Sequence, residues 1–192
     1  MVFELTLVIL MWAGIVFNLL ILLNIRLYSD KDTKEKLNRI KMKINLLGIK
    51  NIYLMETYNR YSMGASSSTR TRQIFLDPKL IKTSTDEQLW SIICHELGHI
   101  IEGHSVTDIQ SENHMHEFVA DGYVKKFGAN PKAFIASLLK MRDVTHIYYH
   151  VDTNTHPSCA SRAARLGLVD LAIKLELIGK RKEKQDSLLR KK

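Results

Sequence analysis

The sequence has little cysteine, proline or glycine, with two, three and nine of these residues among 192. Cys94 and Cys159 are too few for a disulfide framework and show no paired metal-ligand spacing, so we interpret them as buried or idle thiols in a reducing compartment. The low proline and glycine content excludes a collagen-like fibre and a low-complexity chain. An apolar fraction of 45% is sufficient for one packed domain with accessory segments.

Acidic residues are fewer than basic ones, which gives a net charge of +8. The excess lies in two flanks, because residues 26–50 and 180–192 each carry +5 whereas residues 51–179 carry −1. A nucleic-acid groove would place basic residues in the central part. The charge pattern therefore indicates contact with an anionic membrane surface, and we expect no nucleic-acid partner.

Residues 5–25 form a run of 21 residues without charge. This length suits a helix that crosses a hydrocarbon core of about 30 Å. A cleaved signal peptide would need a basic start and an A-x-A-like site, and the sequence has neither. We expect one transmembrane span in contact with the lipid bilayer. Because basic residues follow it, the N-terminus should lie outside and the body in the cytoplasm.

The predicted organisation has four parts. Residues 1–28 form the anchor, residues 29–48 a basic juxtamembrane helix, residues 49–179 the main domain and residues 180–192 a basic tail. The juxtamembrane helix is predicted to lie along the lipid headgroups, with apolar positions at Leu37, Ile40, Ile44 and Leu47. The sequence leaves the oligomeric state open.

The main domain is predicted to be α+β, mainly helical, with a small sheet beside one long helix. A capping box formed by Ser84 to Glu87 opens that helix, which should continue to about residue 103. The stretch from 64 to 71 is predicted to be a flexible loop. The remaining predicted elements are strands at 49–55 and 73–76 and helices at 113–127, from 130, and at 158–178.

The long helix contains the motif His95-Glu96-Leu97-Gly98-His99. Each helical residue turns about 100°, so the two histidines lie only about 40° off a common face and can bind one Zn²⁺ per chain. Glu96 lies beside the pair, where it can act as general base towards an attacking water. Gly98 would leave room next to the metal.

A catalytic zinc site needs a third protein ligand and an open fourth position. His104 is a poor candidate, because five residues past His99 it lies about 140° round the helix and should point away. The metzincin pattern requires histidine at 105 and glycine at 102, where this chain has serine and glutamate, so that class is excluded. His114 and His116 remain alternative ligands.

Glu117 is the better third ligand. It opens the segment Glu117-Phe118-Val119-Ala120-Asp121 on the next helix, with Asp121 one turn later on the same face. Glu117 could bind zinc while Asp121 accepts a hydrogen bond from a ligand histidine. An ordinary solvated acidic pair is the alternative interpretation.

The chain from about residue 59 to 166 resembles the M48 family of zinc metallopeptidases, the gluzincins that include HtpX and the CAAX-prenyl proteases. The matching blocks follow one another in order: Asn59 to Gly64, Ile74 to Leu76, Asp86 to Leu89, His95 to His99, Glu117 to Asp121, and Thr155-His156-Pro157-Ser158 with Arg162. Arg60 and Tyr61 depart from the alanine and phenylalanine of the first block. Only 17 residues separate His99 from Glu117, which resembles the compact minimal gluzincins rather than the multi-pass members.

The resemblance implies a zincin-type metallopeptidase domain behind a single anchor and a membrane-anchored zinc endopeptidase that acts on peptides or proteins. It implies that His95, His99 and Glu117 bind the metal and that Glu96 is the base. By the same resemblance His156 would stabilise the oxyanion, while Arg162 would orient the glutamate or nearby acids. Asn59 and Gly64 would lie where substrate binds.

Two other functions remain open. An ImmA-like regulatory protease also uses the histidine motif and would cleave one specific repressor. The chain could instead be a catalytically silent, membrane-tethered zinc-binding protein. Glu96 disfavours the silent protein, because a purely structural zinc site needs no base.

Overall fold

A computed structural model of the chain describes residues 31–57, 64–141 and 150–189. The predicted span at 5–25 and the predicted substrate-contact residue Asn59 lie outside these ranges. Among the described residues, no helix has the length and apolar character needed to cross a membrane.

The described elements are seven helices and three strands, which confirms the mainly helical α+β prediction. In chain order they are α1 (Lys31–Leu46), β1 (Tyr53–Glu56), β2 (Ala65–Ser68), β3 (Gln73–Leu76), α2 (Pro78–Thr83), α3 (Asp86–Glu102), α4 (Gln110–Lys126), α5 (Pro131–Met141), α6 (Cys159–Arg165) and α7 (Val169–Leu189). Helix α3 contacts α4, α5 and strand β2. The small sheet therefore lies beside the helix that carries the histidine motif.

The sheet has the strand order β1-β3-β2, with β1 parallel and β2 antiparallel to β3. Strand β2 falls in the segment predicted to be a flexible loop, and that prediction was wrong. Ala65 pairs with Leu76 and Ser68 with Gln73, so the backbone hydrogen bonds of β3 order a segment whose side chains have little strand preference. Within the described ranges β2 pairs only with β3, and its other edge is free.

Helix α1 packs its apolar face into the domain. Leu37, Ile40 and Ile44 belong to the same buried cluster as Trp90 of α3. The Lys36 ammonium donates hydrogen bonds to the backbone carbonyls of residues 81 and 84. The apolar positions are those predicted, except that Leu47 is exposed after the helix end. The apolar face of this helix is therefore covered by the domain core, and a contact of its exposed basic face with lipid headgroups stays a prediction.

The ends of the helices explain three further differences. Helix α3 is capped by Thr85 with Gln88, one residue after the predicted box, because Ser84 serves as the C-cap of α2. Helix α2 itself was not predicted; the Asp77 side chain caps its N-terminus. The single helix predicted over 158–178 is broken into α6 and α7, with Gly167 at φ +78° between them.

Candidate metal centre

Gly98 brings the two helices of the site together. A Cβ atom added at Gly98 would lie 2.8 Å from the Ala120 Cα atom on α4 and 3.0 Å from the ring of Tyr123. The glycine therefore leaves room for the backbone of α4 rather than for a metal ion, which corrects the sequence-based interpretation. This close approach places Glu117 opposite the two histidines.

His95, His99 and Glu117 converge on one point between α3 and α4. The two imidazole Nε2 atoms lie 3.0 Å apart. The Glu117 carboxylate oxygens lie 3.3 Å from His99 Nε2 and 3.5 Å from His95 Nε2. Ligands held at about 2.0–2.1 Å round a tetrahedral zinc ion are roughly 3.3 Å from one another. The three side chains therefore fit a zinc ion in chemistry and in spacing.

Arg162 and Asp121 support this group from α6 and α4. The Arg162 guanidinium donates two hydrogen bonds to Asp121, at 2.9 Å and 2.5 Å, and its Nη1 lies 2.9 Å from Glu117 Oε2. Asp121 Oδ1 also lies 3.0 Å from His95 Nδ1. The structure thus places Arg162 against the glutamate and the aspartate, and Asp121 against a histidine.

The electrostatic environment favours a positive charge at the centre. Burial opposes ionisation of Glu117, yet Arg162 and His95 hold the pKa of its carboxyl group well below the usual range. Burial disfavours the charged form of His95, but Glu117 and Asp121 raise the pKa of its imidazole. The pKa of Asp121 is also lowered despite its burial, chiefly by Arg162. Ionised carboxylates that stabilise a cation on His95 would likewise stabilise a metal ion.

A cleft of about 680 Å³ opens onto this group. Glu96 lines the cleft beside His95 and His99 and is itself buried, with 7% of its surface exposed. The free edge of β2 forms another wall, together with Gly64, the described member of the predicted substrate-contact pair. Strand β2 and Glu96 therefore line the same cleft.

His156 lies at the rim of the same cleft. Its Nε2 atom is 3.8 Å from Glu117 Oε1, and its Nδ1 atom is 2.8 Å from the hydroxyl of Thr155. The side chain is 41% exposed, so it can reach a bound substrate. The structure brings His156 to the site, and the oxyanion role stays a prediction.

The position of His104 contradicts the sequence-based expectation. Helix α3 ends at Glu102, and Gly103 adopts a left-handed conformation with φ +70° that turns the chain back. His104 Nδ1 consequently lies 3.0 Å from His99 Nδ1, although a continued helix would have pointed it away. Burial, with His99 and His116 nearby, lowers the pKa of His104 to about 4.

The two alternative ligands occupy separate positions. His116 stacks on His104 with ring centroids 4.2 Å apart. His104 in turn lies between His116 and His99, and its ring centroid is 5.2 Å from that of His99. His114 is directed to the Thr153 carbonyl oxygen, which is 2.6 Å from its Nε2 atom. Within the described ranges neither joins the convergent group of His95, His99 and Glu117.

The two cysteines take no part in the site. Cys94 and Cys159 are both buried and form no disulfide, which agrees with that part of the interpretation. Burial raises the pKa of the Cys94 thiol, so the reactive thiolate form is suppressed.

The comparison with protein families gives one match. The profile of Peptidase family M48 matches residues 29–116. The resemblance to family M48 is confirmed. Similarity to M48 suggests zinc-dependent proteolysis, and His95, His99 and Glu117 form a group able to hold the metal. The matched range includes the histidine motif and ends one residue before Glu117, so the placement of Glu117, Asp121, His156 and Arg162 rests on the geometry above.

The other comparisons add little to the M48 match. No curated protein matches the chain. Among solved structures, the metallopeptidase zymogen abylysin of Pyrococcus abyssi is similar, with 17% identity and a TM-score of 0.40. The match covers 58% of this chain and 95% of that one.

Proposed function

We propose that the chain is a membrane-anchored, zinc-dependent endopeptidase that hydrolyses peptide bonds in flexible or unfolded protein substrates. The observation that carries this proposal is the convergence of His95, His99 and Glu117 at one end of a cleft that also contains Glu96. A structural zinc site is closed by protein ligands. Here His95, His99 and Glu117 all line an open cleft, which would leave a bound zinc ion accessible to water and substrate, as a hydrolytic site requires.

The side chains round the cleft have separate roles in the proposed reaction. The free edge of β2 can pair with an extended substrate, which places a peptide carbonyl near the metal centre. Glu96 accepts the proton of the attacking water and returns it to the leaving amine. His156 donates a hydrogen bond to the oxyanion at the rim of the site. Arg162 and Asp121 hold Glu117 and His95 in position.

Zinc bound by His95, His99 and Glu117 would lower the pKa of a water molecule and polarise the scissile carbonyl group. We therefore expect the purified full-length chain to contain one zinc ion and to hydrolyse casein or a quenched peptide. A chelator should abolish hydrolysis, and added zinc should restore it. His99→Ala should lose the metal because it removes a ligand.

The matched control is His114→Ala, since the His114 ring contacts the Thr153 carbonyl and not the metal group. This variant should keep both zinc and activity. A wild-type chain that contains no zinc, or that cleaves equally well after chelation, would refute the proposal.

The anchor is a separate part of the proposal and rests on the uncharged run at 5–25 followed by the basic flank. The full-length chain should stay with membranes during alkaline extraction. A protease added outside intact cells should leave the catalytic domain uncleaved. Recovery of the chain in the alkaline-soluble fraction would rule out the span, without bearing on the peptidase activity.

A further inference from the structure

The two ring nitrogens of His99 face different partners. Its Nε2 atom faces the metal group, 3.0 Å from His95 Nε2 and 3.3 Å from Glu117 Oε1. Its Nδ1 atom lies on the opposite side of the ring, 3.0 Å from Nδ1 of His104. His104 therefore contacts the nitrogen of His99 that does not face the metal.

The backbone holds His104 in this position. Gly103 has φ +70°, and the N–H groups of Gly103 and His104 both donate to the His99 carbonyl, the latter at 3.0 Å. This is the hydrogen-bond pattern of a left-handed helix end. The ring of His116 stacks on His104 at 4.2 Å with an interplanar angle of 16°. The helix end and the stacked ring together fix the orientation of His104.

The protons on the two rings follow from this arrangement. A histidine that binds a metal through Nε2 must offer a lone pair there, so its neutral ring carries the hydrogen on Nδ1. Two Nδ1 atoms 3.0 Å apart can share only one hydrogen in a hydrogen bond. If Nδ1 of His99 is the donor, Nδ1 of His104 must be unprotonated and accept.

We propose that His104 is a positioning residue that accepts the Nδ1–H hydrogen bond of His99 and thereby fixes this ring for zinc binding. The inference rests on the zinc site of the proposed function and assigns a role that the histidine motif alone does not contain. His95 is held differently, by the carboxylate of Asp121 at 3.0 Å. One zinc ligand thus has an anionic acceptor and the other a neutral one.

Zinc affinity is the quantity that this role controls. His104→Phe keeps a flat ring that can stack on His116 but removes the acceptor. His104→Asn keeps an acceptor oxygen close to the position of the lost Nδ1 atom. Removing the hydrogen-bond partner of a ligand histidine typically weakens metal binding by about 10- to 100-fold. Loss of a neutral acceptor should weaken zinc binding by an amount near the lower end of this range. We therefore expect His104→Phe to raise the zinc dissociation constant about tenfold and His104→Asn to bind zinc with near wild-type affinity.

The test measures zinc dissociation constants of the full-length wild type and both variants by competition with a chelator. Equal affinity of His104→Phe and wild type would overturn the inference, as would an Asn variant as weak as the Phe variant. A wild type that binds no zinc would overturn the proposed function itself. Zinc-loaded wild type with an unaffected Phe variant would overturn this inference alone.

A second measurement needs no variant. The long-range ¹H–¹⁵N spectrum of the zinc-loaded wild type labelled with ¹⁵N-histidine reports which ring nitrogen carries hydrogen. We expect hydrogen on Nδ1 of His99 and on Nε2 of His104. Hydrogen on Nδ1 of His104 would contradict the proposed direction of the bond, whatever the variants show.

Discussion

Glu96→Gln is expected to lower kcat/KM for peptide hydrolysis by about 100- to 10,000-fold, the usual contribution of a general base. Glutamine has the shape of glutamate and fits the same buried place in the cleft, but its amide cannot take up the proton of water. The three metal-binding side chains are unchanged, so zinc content should stay at the wild-type level. Loss of activity with retained zinc would separate a base from a ligand.

The matched control for this variant is Glu112→Gln. Glu112 is an exposed carboxylate in the first turn of α4 and does not line the cleft. It loses the same charge at a distance from the metal group, and we expect wild-type activity. Full activity of Glu96→Gln in the same assay would show that another group takes the proton. That result would also reopen the interpretation of the chain as a silent zinc-binding protein.

The parts of the site that helix geometry alone could predict are relations within one helix. The period of the helix places His95 and His99 on one face, and the same rule places Asp121 one turn after Glu117. The structure keeps both pairs on regular helices, α3 and α4. Helix geometry could not supply the contact between these helices, which the resemblance to family M48 implied. That contact depends on Gly98, whose missing side chain lets the Ala120 backbone approach.

The predicted direction of the His104 side chain was wrong because helix geometry does not apply beyond the end of a helix. The angle of 140° treats residue 104 as helical, although the helix was itself predicted to end near residue 103 and does end at Glu102. Gly103 gave the available signal, because a glycine just after the last turn commonly adopts the left-handed conformation that reverses the chain. Such a turn brings the following side chain back towards the last turn of the helix. The contact between His104 and His99 follows from it.

The prediction of a flexible loop for the serine-rich segment was wrong for a different reason. Ser66, Ser67 and Ser68 have low strand preference, and a local pattern of small polar residues is typical of a loop. These serines adopt strand conformation because their backbone forms hydrogen bonds with β3. The residues of the segment do not by themselves indicate this pairing. The error matters for the proposed function, because this segment lines the cleft. Antiparallel pairing with β3, the next strand along the chain, thus makes the predicted loop a strand and a candidate substrate-binding edge.

Arg162→Met is expected to have the largest effect on stability, about 3–5 kcal/mol in the zinc-free chain. Arg162 is 2% exposed and contacts both Glu117 and Asp121, whose carboxylates are also buried. Methionine fills much of the volume but leaves two buried negative charges without their cation. The pKa values of both acids are depressed largely by this arginine, so they should take up protons more readily in the variant. Urea unfolding followed by circular dichroism measures the loss.

Arg165→Met is the matched control, since Arg165 lies on the same short helix but is exposed beside the ring of Phe118. Its stability should change by less than about 1 kcal/mol, as for most exposed charges. Zinc should restore part of the stability lost by Arg162→Met, because a cation bound by Glu117 compensates one of the two charges and binds only the folded chain. Equal stability of the two variants without zinc would contradict the structural role of Arg162. Zinc should also stabilise the control, whose three metal-binding side chains are unchanged, so compensation requires a larger zinc-dependent gain in the free energy of unfolding for Arg162→Met. An equal gain in the two variants would contradict the compensation.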